Sequence, residues 1–187
     1  MLVLFAFAKA NSLQAQSKTT KQEKEERVQQ ASVPTQALQE TEAMAAGSRI
    51  KFYLEYDGDK TSYEGKFKKD GRRYSMEYTS TGELEDVEIE IKRRNVSKRL
   101  WESMAGRLDS IASRWRVEKI QQQYLPVPDG LNALKDNIDK ERFDHLELIV
   151  AFKENRKIYR KEILFDLEGI IVNIRDVKRI AYDFLLF

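Results

Sequence analysis

The chain has 187 residues, of which 41% are hydrophobic and 34% charged, and its 33 Lys and Arg nearly balance its 31 Asp and Glu. This length suits one compact domain or two small fused ones, and the balanced charge gives no global field that would recruit nucleic acid. The absence of cysteine excludes disulfides, a thiol nucleophile and cysteine-type zinc sites.

A short apolar run, residues 2–8, stands near the start and is followed by the polar residues that lead to LQAQ at 13–16. This pattern is typical of the end of a secretory signal peptide and predicts cleavage after Ala15, so residues 1–15 are interpreted as a leader. The alternatives are a frayed amphipathic start or a buried strand. The run is too short to span a bilayer, so we expect a periplasmic or secreted protein with no membrane span.

Residues 16–32 are polar, mixed in charge and without hydrophobic periodicity. This composition is typical of a flexible tether, and a docking tail is the alternative interpretation. Order is expected to begin at Val33-Pro34, because proline is tolerated in the first turn of a helix. Residues 35–46 contain strong helix formers before Gly47, and their thin apolar face predicts a helix that lies on a sheet.

Four strands are predicted after this helix, each with alternating side chains. The alternating positions are Phe52, Leu54 and Tyr56; Tyr63, Gly65 and Phe67; Tyr74, Met76 and Tyr78; and Val87, Ile89 and Ile91. Turn signals of the Asp-Gly type separate them, which indicates an antiparallel meander with one apolar and one wet face. The wet face is expected to carry Lys66, Lys68 and Arg73 near the acidic side chains of Glu77, Asp86, Glu88 and Glu90. These charges serve either solubility and register or the docking of a partner.

The strongest helix signal in the chain lies in residues 96–114. Its apolar stripe consists of Val96, Leu100, Met104, Leu108 and Ile111, widened by Trp101 and Trp115. The stripe predicts packing on the sheet, and a ligand-lining role for the two tryptophans is the alternative. Asn95 is interpreted as the helix cap, although Asn95-Val96-Ser97 also fits a glycosylation acceptor. A strand is predicted over residues 117–124, with the end of a helix as the alternative. Later strands are predicted within residues 146–152, 158–165, 170–174 and 181–187, with a short helix after Gly130.

A hairpin pattern occurs twice. The spacing of Tyr78, Gly82, Leu84 and Val87 recurs as Phe165, Gly169, Ile171 and Ile174. The repeat divides the chain into two units in series, residues 33–94 and 95–187, the second with an insertion at 125–143. The expected fold class is α+β, with antiparallel meanders and helices packed on one face. Tandem scaffolds bind more often than they catalyse.

The first unit resembles the PepSY-like, beta-lactamase-inhibitor-like proteins of Bacteroidetes-type envelopes. The resemblance rests on Val33-Pro34, Tyr63-Glu64-Gly65, residues 74–78 before Gly82, residues 84–89 and residues 119–121. It is closest over residues 33–91 and looser over the rest of the chain. The chain departs from the family at Phe52-Tyr53, where a tryptophan is often found, and at the insertion. The resemblance implies an α+β fold of two PepSY-like units, export and no enzymatic activity.

No catalytic residue, metal site or cofactor is expected. His145 is the only histidine, and a single imidazole without a cysteine or a serine elbow does not make a nucleophilic triad. Asp57-Gly58-Asp59 is followed by none of the further ligands of a calcium loop. The sequence shows many carboxylates, but none stands out as a buried pair.

Two functions fit these observations. The first is a non-enzymatic module that binds a protein or peptide of the cell envelope, including inhibitory binding, through Tyr53, Lys66, Lys68 and Arg73. In this hypothesis Tyr53 is an exposed aromatic anchor on a charged strand. The alternative is a small apolar ligand held between the helix at 96–114 and strands near 148–152 and 184–187. A large cavity would favour the alternative, and a filled core would favour the first function.

Overall fold

The computed structural model describes residues 20, 21 and 23–177; the interpretations of residues 1–15 as a leader and of 181–187 as a strand lie outside them. The α-helices and strands of the described chain are β1 (Thr20–Lys21), β2 (Glu23–Val28), α1 (Thr35–Ala45), β3 (Ile50–Asp57), β4 (Lys60–Lys69), β5 (Arg72–Thr79), β6 (Leu84–Glu90), α2 (Lys98–Ile111), β7 (Trp115–Tyr124), α3 (Gly130–Asp139), β8 (His145–Glu154), β9 (Lys157–Phe165) and β10 (Ile171–Val177).

A single sheet contains all of the strands in the described part of the chain. Its order is β1-β10-β9-β8-β7-β6-β5-β4-β3-β2. Neighbours from β2 to β10 pair antiparallel, and β1 pairs with β10 in parallel. Tight turns at positive φ, such as Asp70-Gly71 with φ of 50° and 77°, reverse the chain between strands. The predicted α+β class and the antiparallel meander are confirmed.

The N-terminal segment of the described chain reaches both ends of this series of strands. β1 and β2 are separated by one residue in sequence, yet β1 pairs with β10 while β2 pairs with β3. The register of β2 runs from Glu23 opposite Asp57 to Val28 opposite Phe52. The sheet therefore curls until its two outer strands meet the same segment.

The prediction of a flexible tether over residues 16–32 is wrong for the part that the structure describes. The outer edge of β3 offers a row of backbone N–H and C=O groups, and a strand that satisfies them needs no apolar pattern of its own. The segment of β2 is accordingly charged, and only Val28 packs partly into the core.

Two apolar clusters join the helices to the sheet. In the first, Ala37 and Met44 of α1 pack with side chains of β3 to β7, among them Phe52, Phe67, Met76, Ile89 and Tyr124. In the second, Met104 and Leu108 of α2 pack with β7 to β9, among them Ile120, Leu146, Leu148, Ile163 and Phe165. Ser97, rather than the predicted Asn95, caps α2, because its Oγ accepts a hydrogen bond from the Leu100 N–H at 3.3 Å.

Candidate functional site

One face of the sheet carries charged and amide side chains, and we call it the polar face. Alternation along each strand and the antiparallel register bring them together from β3 to β10. Its buried members are Tyr53, Glu55, Glu64, Ser75, Glu88, Gln121, Glu147 and Glu162. The curl of the sheet therefore shields much of a face that alternation alone predicts to be wet.

Tyr53 and Lys66, two of the predicted partner-binding residues, lie in the shielded part. Tyr53 is only 8% exposed, and the Lys66 Nζ lies 5.0 Å from the centre of its ring. The same ammonium group lies 2.7 Å from Glu64 Oε2 and 3.0 Å from Glu25 Oε1. The prediction of Tyr53 as an exposed anchor is wrong, because β2 covers this edge and places Glu25 beside Lys66.

Lys68 and Arg73, the other two predicted residues, lie at the accessible end of the polar face. They are direct cross-strand partners on β4 and β5, so two cations stand opposite each other. Arg73 is 38% exposed and its Nη1 lies 3.1 Å from Glu90 Oε2, while Lys68 is exposed. One row further along the same face, Lys51 stands opposite Lys66. We call these four cations the basic corner.

Three carboxyl groups, Glu25, Glu55 and Glu64, meet beside the basic corner. Burial and the neighbouring Glu64 raise the pKa of Glu55 to about 11, so this carboxyl group keeps its proton at neutral pH. Burial alone would raise the pKa of Glu64 as well, but the charge of Lys66 and the hydrogen bonds with Glu55, Lys66 and Ser75 together outweigh burial and lower that pKa. The Ser75 hydroxyl also donates to Glu64. This triad is thus one neutral acid and two carboxylates around an ammonium group.

A second group of carboxylates, which we call the acidic cluster, consists of Glu77, Asp86 and Glu88. One oxygen from each lies within 4.8 Å of the other two. Burial, followed by the negative charges of Glu77 and Glu88, raises the pKa of Asp86 well above its ordinary value. Amide groups of β7 support the cluster: Gln123 Nε2 donates to Asp86 Oδ2 at 2.8 Å and Gln121 Nε2 to Glu88 Oε2 at 2.5 Å.

Sequence reasoning placed Glu77, Asp86 and Glu88 on the wet face but did not predict that their carboxyl groups meet in one cluster. The alternation of Asp86 and Glu88 along β6 is visible in the sequence, but two further facts are not. The register sets Glu77 of β5 directly opposite Asp86, and the curl of the sheet shields Glu88 and Asp86 Oδ1 from water. His145, the only histidine, begins β8, where its Nδ1 lies 3.1 Å from Gln123 Oε1.

The contact between α1 and the sheet is tight. A Cβ added to Gly65 would lie 2.8 Å from Thr41 Cγ2 and 3.1 Å from the ring of Phe52. The Thr41 hydroxyl donates to the Ala37 carbonyl at 2.7 Å and lies 2.9 Å from the hydroxyl of Tyr78. At α2, Met104 and Leu108 are fully buried in the second apolar cluster. This dense packing gives no support to the predicted cavity along 148–152; residues 184–187 lie outside the described chain.

Comparison with known proteins supports the fold alone. No protein-family model matches the sequence, and no curated protein matches it either. A DUF2874 family protein from Bacteroides ovatus has a similar structure, with a TM-score of 0.54 and 11% identity over 82% of this chain and 93% of that one. A protein from Bacteroides eggerthii, provisionally described as periplasmic, has a TM-score of 0.53 and 14% identity over 82% of this chain and 94% of its own.

A BLIP-like protein from Bacteroides fragilis is also among the solved structures that resemble this chain, with a TM-score of 0.47 and 16% identity over 80% of this chain and 90% of that one. We draw no conclusion from that more distant likeness. Among the helices of the described residues, none combines the length and the apolar character that crossing a membrane requires.

Proposed function

We propose that this protein is a non-enzymatic binding module of the periplasm or the extracellular space, and that it recognises an acidic segment of an envelope protein or peptide. The observation that carries the proposal is the position of Lys68 directly opposite Arg73 on the polar face. Like charges in direct cross-strand positions destabilise a sheet. Glu90 offsets the charge of Arg73, whereas the presence of Lys68 opposite it, at an accessible site, is explained by a negatively charged ligand.

The next pair along the same two strands makes the contrast clear. Lys69 stands opposite Arg72, also as two cations, but on the face that carries the helices. There Lys69 Nζ donates to the Met44 carbonyl of α1 at 3.2 Å, and Arg72 Nη2 lies 3.1 Å from Glu141. Both charges therefore interact with other parts of the fold. At Lys68 the ammonium group is exposed, and a partner carboxylate is the interaction that its position fits.

Other parts of the proposal extend the sequence analysis. The absence of catalytic chemistry is proposed because the solitary imidazole of His145 contacts an amide, which offers no nucleophile to activate. The location agrees with the provisional description of the Bacteroides eggerthii protein. We also propose that the two hairpin units form a tandem scaffold with the helices on one face of the sheet, which leaves the opposite face for the partner. Inhibition is one form that such binding would take if the partner is an enzyme.

The test uses a displayed library of random peptides and the full chain as bait. Selections run in parallel on the unaltered protein, on the double variant Lys68→Glu/Arg73→Glu, and on the control Lys157→Glu, which changes an exposed lysine of β9. We expect acidic peptides to be enriched by the unaltered protein and by the control. The double variant should lose affinity for them by about tenfold or more, which corresponds to about 1.4 kcal/mol.

The salt dependence of the affinity tests whether the complex depends on charge. A complex built on Lys68 and Arg73 should weaken as ionic strength rises, because exposed charges are screened beyond a Debye length of about 8–10 Å near physiological salt. Enrichment of apolar peptides, or of acidic peptides that bind the double variant equally well, would remove the basic corner as the binding site. Failure to enrich any peptide would contradict the proposal of a peptide-binding module.

A further inference from the structure

The two groups of acidic side chains on the polar face differ in what lies among them. In the triad of Glu25, Glu55 and Glu64, the ammonium group of Lys66 approaches two of the three carboxylates to 3.0 and 2.7 Å. A cation thus already occupies the position that the carboxylates create, and this group has no need of an added ion. The acidic cluster at Glu77, Asp86 and Glu88 differs at one oxygen, Asp86 Oδ1.

The environment of Asp86 is the second observation. Its Oδ2 accepts the hydrogen bond from Gln123, but its Oδ1 is shielded from solvent and has no hydrogen-bond partner. The charged groups that act on it most strongly, Glu77 and Glu88, are both acidic. A buried carboxylate oxygen without a partner is costly, and buried charges in proteins are paired or coordinate metals. Asp86 Oδ1 therefore needs one further positive group, which a proton or a bound cation would supply.

We propose that Glu77, Asp86 and Glu88 form a binding site for a divalent cation, with calcium as the preferred ion. Calcium takes oxygen ligands from carboxylates, used singly or in pairs, and completes its shell with water. Oxygens on opposite sides of a calcium ion lie about 5 Å apart, so donor atoms within 4.8 Å of one another can share one ion. Magnesium holds its ligands at about 2.0–2.1 Å and demands a regular octahedron, so it fits this spacing less well.

The hydrogen bonds from β7 would orient the ligands. Gln123 holds Asp86 through one oxygen and leaves the other oxygen for the ion. Gln121 holds Glu88 in the same way, through Oε2. Outer groups that fix the direction of metal ligands in this manner raise the affinity of a site. The ion would connect β5 to β6 on the polar face and would not depend on the basic corner.

The experiment titrates calcium chloride and, separately, magnesium chloride into the metal-stripped full-length protein, with heat and melting temperature as readouts. Sodium chloride at equal ionic strength is the blank. Asp86→Asn keeps an acceptor for Gln123 but removes the charge. The matched control is Glu85→Gln, which also removes one negative charge from β6 but at a residue paired with Lys60 at 2.8 Å. Circular dichroism checks that each variant is folded, and Glu88→Gln replaces Asp86→Asn if that variant does not fold.

Saturable calcium binding, with a dissociation constant of about 1 mM or tighter and a rise in melting temperature, is the expected result for the unaltered protein. Asp86→Asn should weaken that binding by about tenfold or more, while Glu85→Gln should change it by less than about twofold. Three outcomes would overturn the site. They are the absence of saturable binding, equal binding by Asp86→Asn, and equal loss in both variants. The first would show that Asp86 is satisfied by a proton alone.

Discussion

Arg175 Nη1, on β10, lies 3.8 Å from Asp57 Oδ2, on β3, although the order of the sheet places six strands between β10 and β3. The same guanidinium group donates from Nε to Glu162 Oε1 of β9 at 2.8 Å. Burial alone would lower the pKa of Arg175, but the charge and hydrogen bond of Glu162, with the charges of Glu147 and Asp57, together raise it. This arginine therefore connects the two outer parts of a curled sheet across the polar face.

Replacement of Arg175 by Met should destabilise the fold by about 2–3 kcal/mol. Glu162 has a side chain that is only 5% exposed, and it would lose its guanidinium partner in a shielded environment. Removing one partner of a fully buried ion pair costs about 3–5 kcal/mol. The effect at Arg175 should be smaller, because its side chain is 30% exposed. Urea denaturation measures the free energy of unfolding for both proteins.

The control for that experiment is Asp57→Asn. It removes the charge that faces Arg175 at the longer distance of 3.8 Å, between side chains that are each about 30% exposed, and should cost less than about 1 kcal/mol. Equal effects of the two substitutions would show that the sheet is held closed at Asp57 rather than at Glu162.

Gly65→Ala should destabilise the protein by about 1–3 kcal/mol, because its new methyl group would overlap Thr41 Cγ2 beneath α1. Thr41→Ser removes that methyl group and keeps the hydroxyl, so it should restore part of the loss in the double variant.

Gly106→Ala is the control for this experiment. Gly106 lies in α2, and no atom lies within 4 Å of the added Cβ, so we expect a gain in stability of about 0.5–1 kcal/mol. Thermal unfolding compares all four variants. A neutral Gly65→Ala would show that α1 moves freely on the sheet.

Much of the fold could be predicted because local patterns determine it. The apolar stripe predicted a helix over residues 96–114, and α2 spans Lys98–Ile111. Asp-Gly turns and period-two alternation likewise predicted β3 to β6 in order. These signals arise within a few residues of one another, which is the distance over which helix and turn preferences act.

The parts that could not be predicted depend on contacts that are distant in sequence. β2 has a charged sequence, and its place is set by the free backbone edge of β3. From the sequence, Tyr53 is predicted to be an exposed aromatic residue. In the structure it is shielded by the pairing of β2 with β3 and by the curl of the sheet. The acidic cluster likewise requires the register of β5 against β6, which alternation does not fix. Lys68 and Arg73 lie at the open end of the face, and their exposure could be predicted from alternation because it needs no such long-range contact.

Glu55→Gln should remove a pH dependence of stability. The folded carboxyl group has a pKa of about 11, raised first by burial and then by Glu64, against an ordinary value of 4.5. Between these values the unfolded chain is ionised and must take up a proton to fold, so this residue makes the free energy of unfolding fall as pH rises. The amide of Gln needs no proton, so the variant should match the original protein near pH 4.5 and exceed it increasingly above.

The advantage of Glu55→Gln should widen by up to about 1.4 kcal/mol per pH unit. Urea denaturation at several pH values between about 5 and 9 measures it. Glu83→Gln, at an exposed position in the turn before β6, controls for the loss of one acidic side chain. A constant difference between Glu55→Gln and the original protein across this range would contradict protonation of Glu55 in the folded state.

Lys68→Glu should separate stability from binding, because the basic corner is proposed to serve a partner rather than the fold. The substitution places a carboxylate opposite Arg73, so the cross-strand pair changes from repulsive to attractive. We expect a gain in the free energy of unfolding of about 0.2–1 kcal/mol.

Lys157→Glu is the matched control with the opposite effect. It places a carboxylate opposite Glu154, so the cross-strand pair becomes repulsive and should cost a similar amount of stability. The same Lys68→Glu protein should bind the selected acidic peptides more weakly, whereas Lys157→Glu should bind them normally. A protein that becomes less stable on Lys68→Glu would show that this lysine supports the fold, and the cross-strand repulsion would then give no evidence for a ligand.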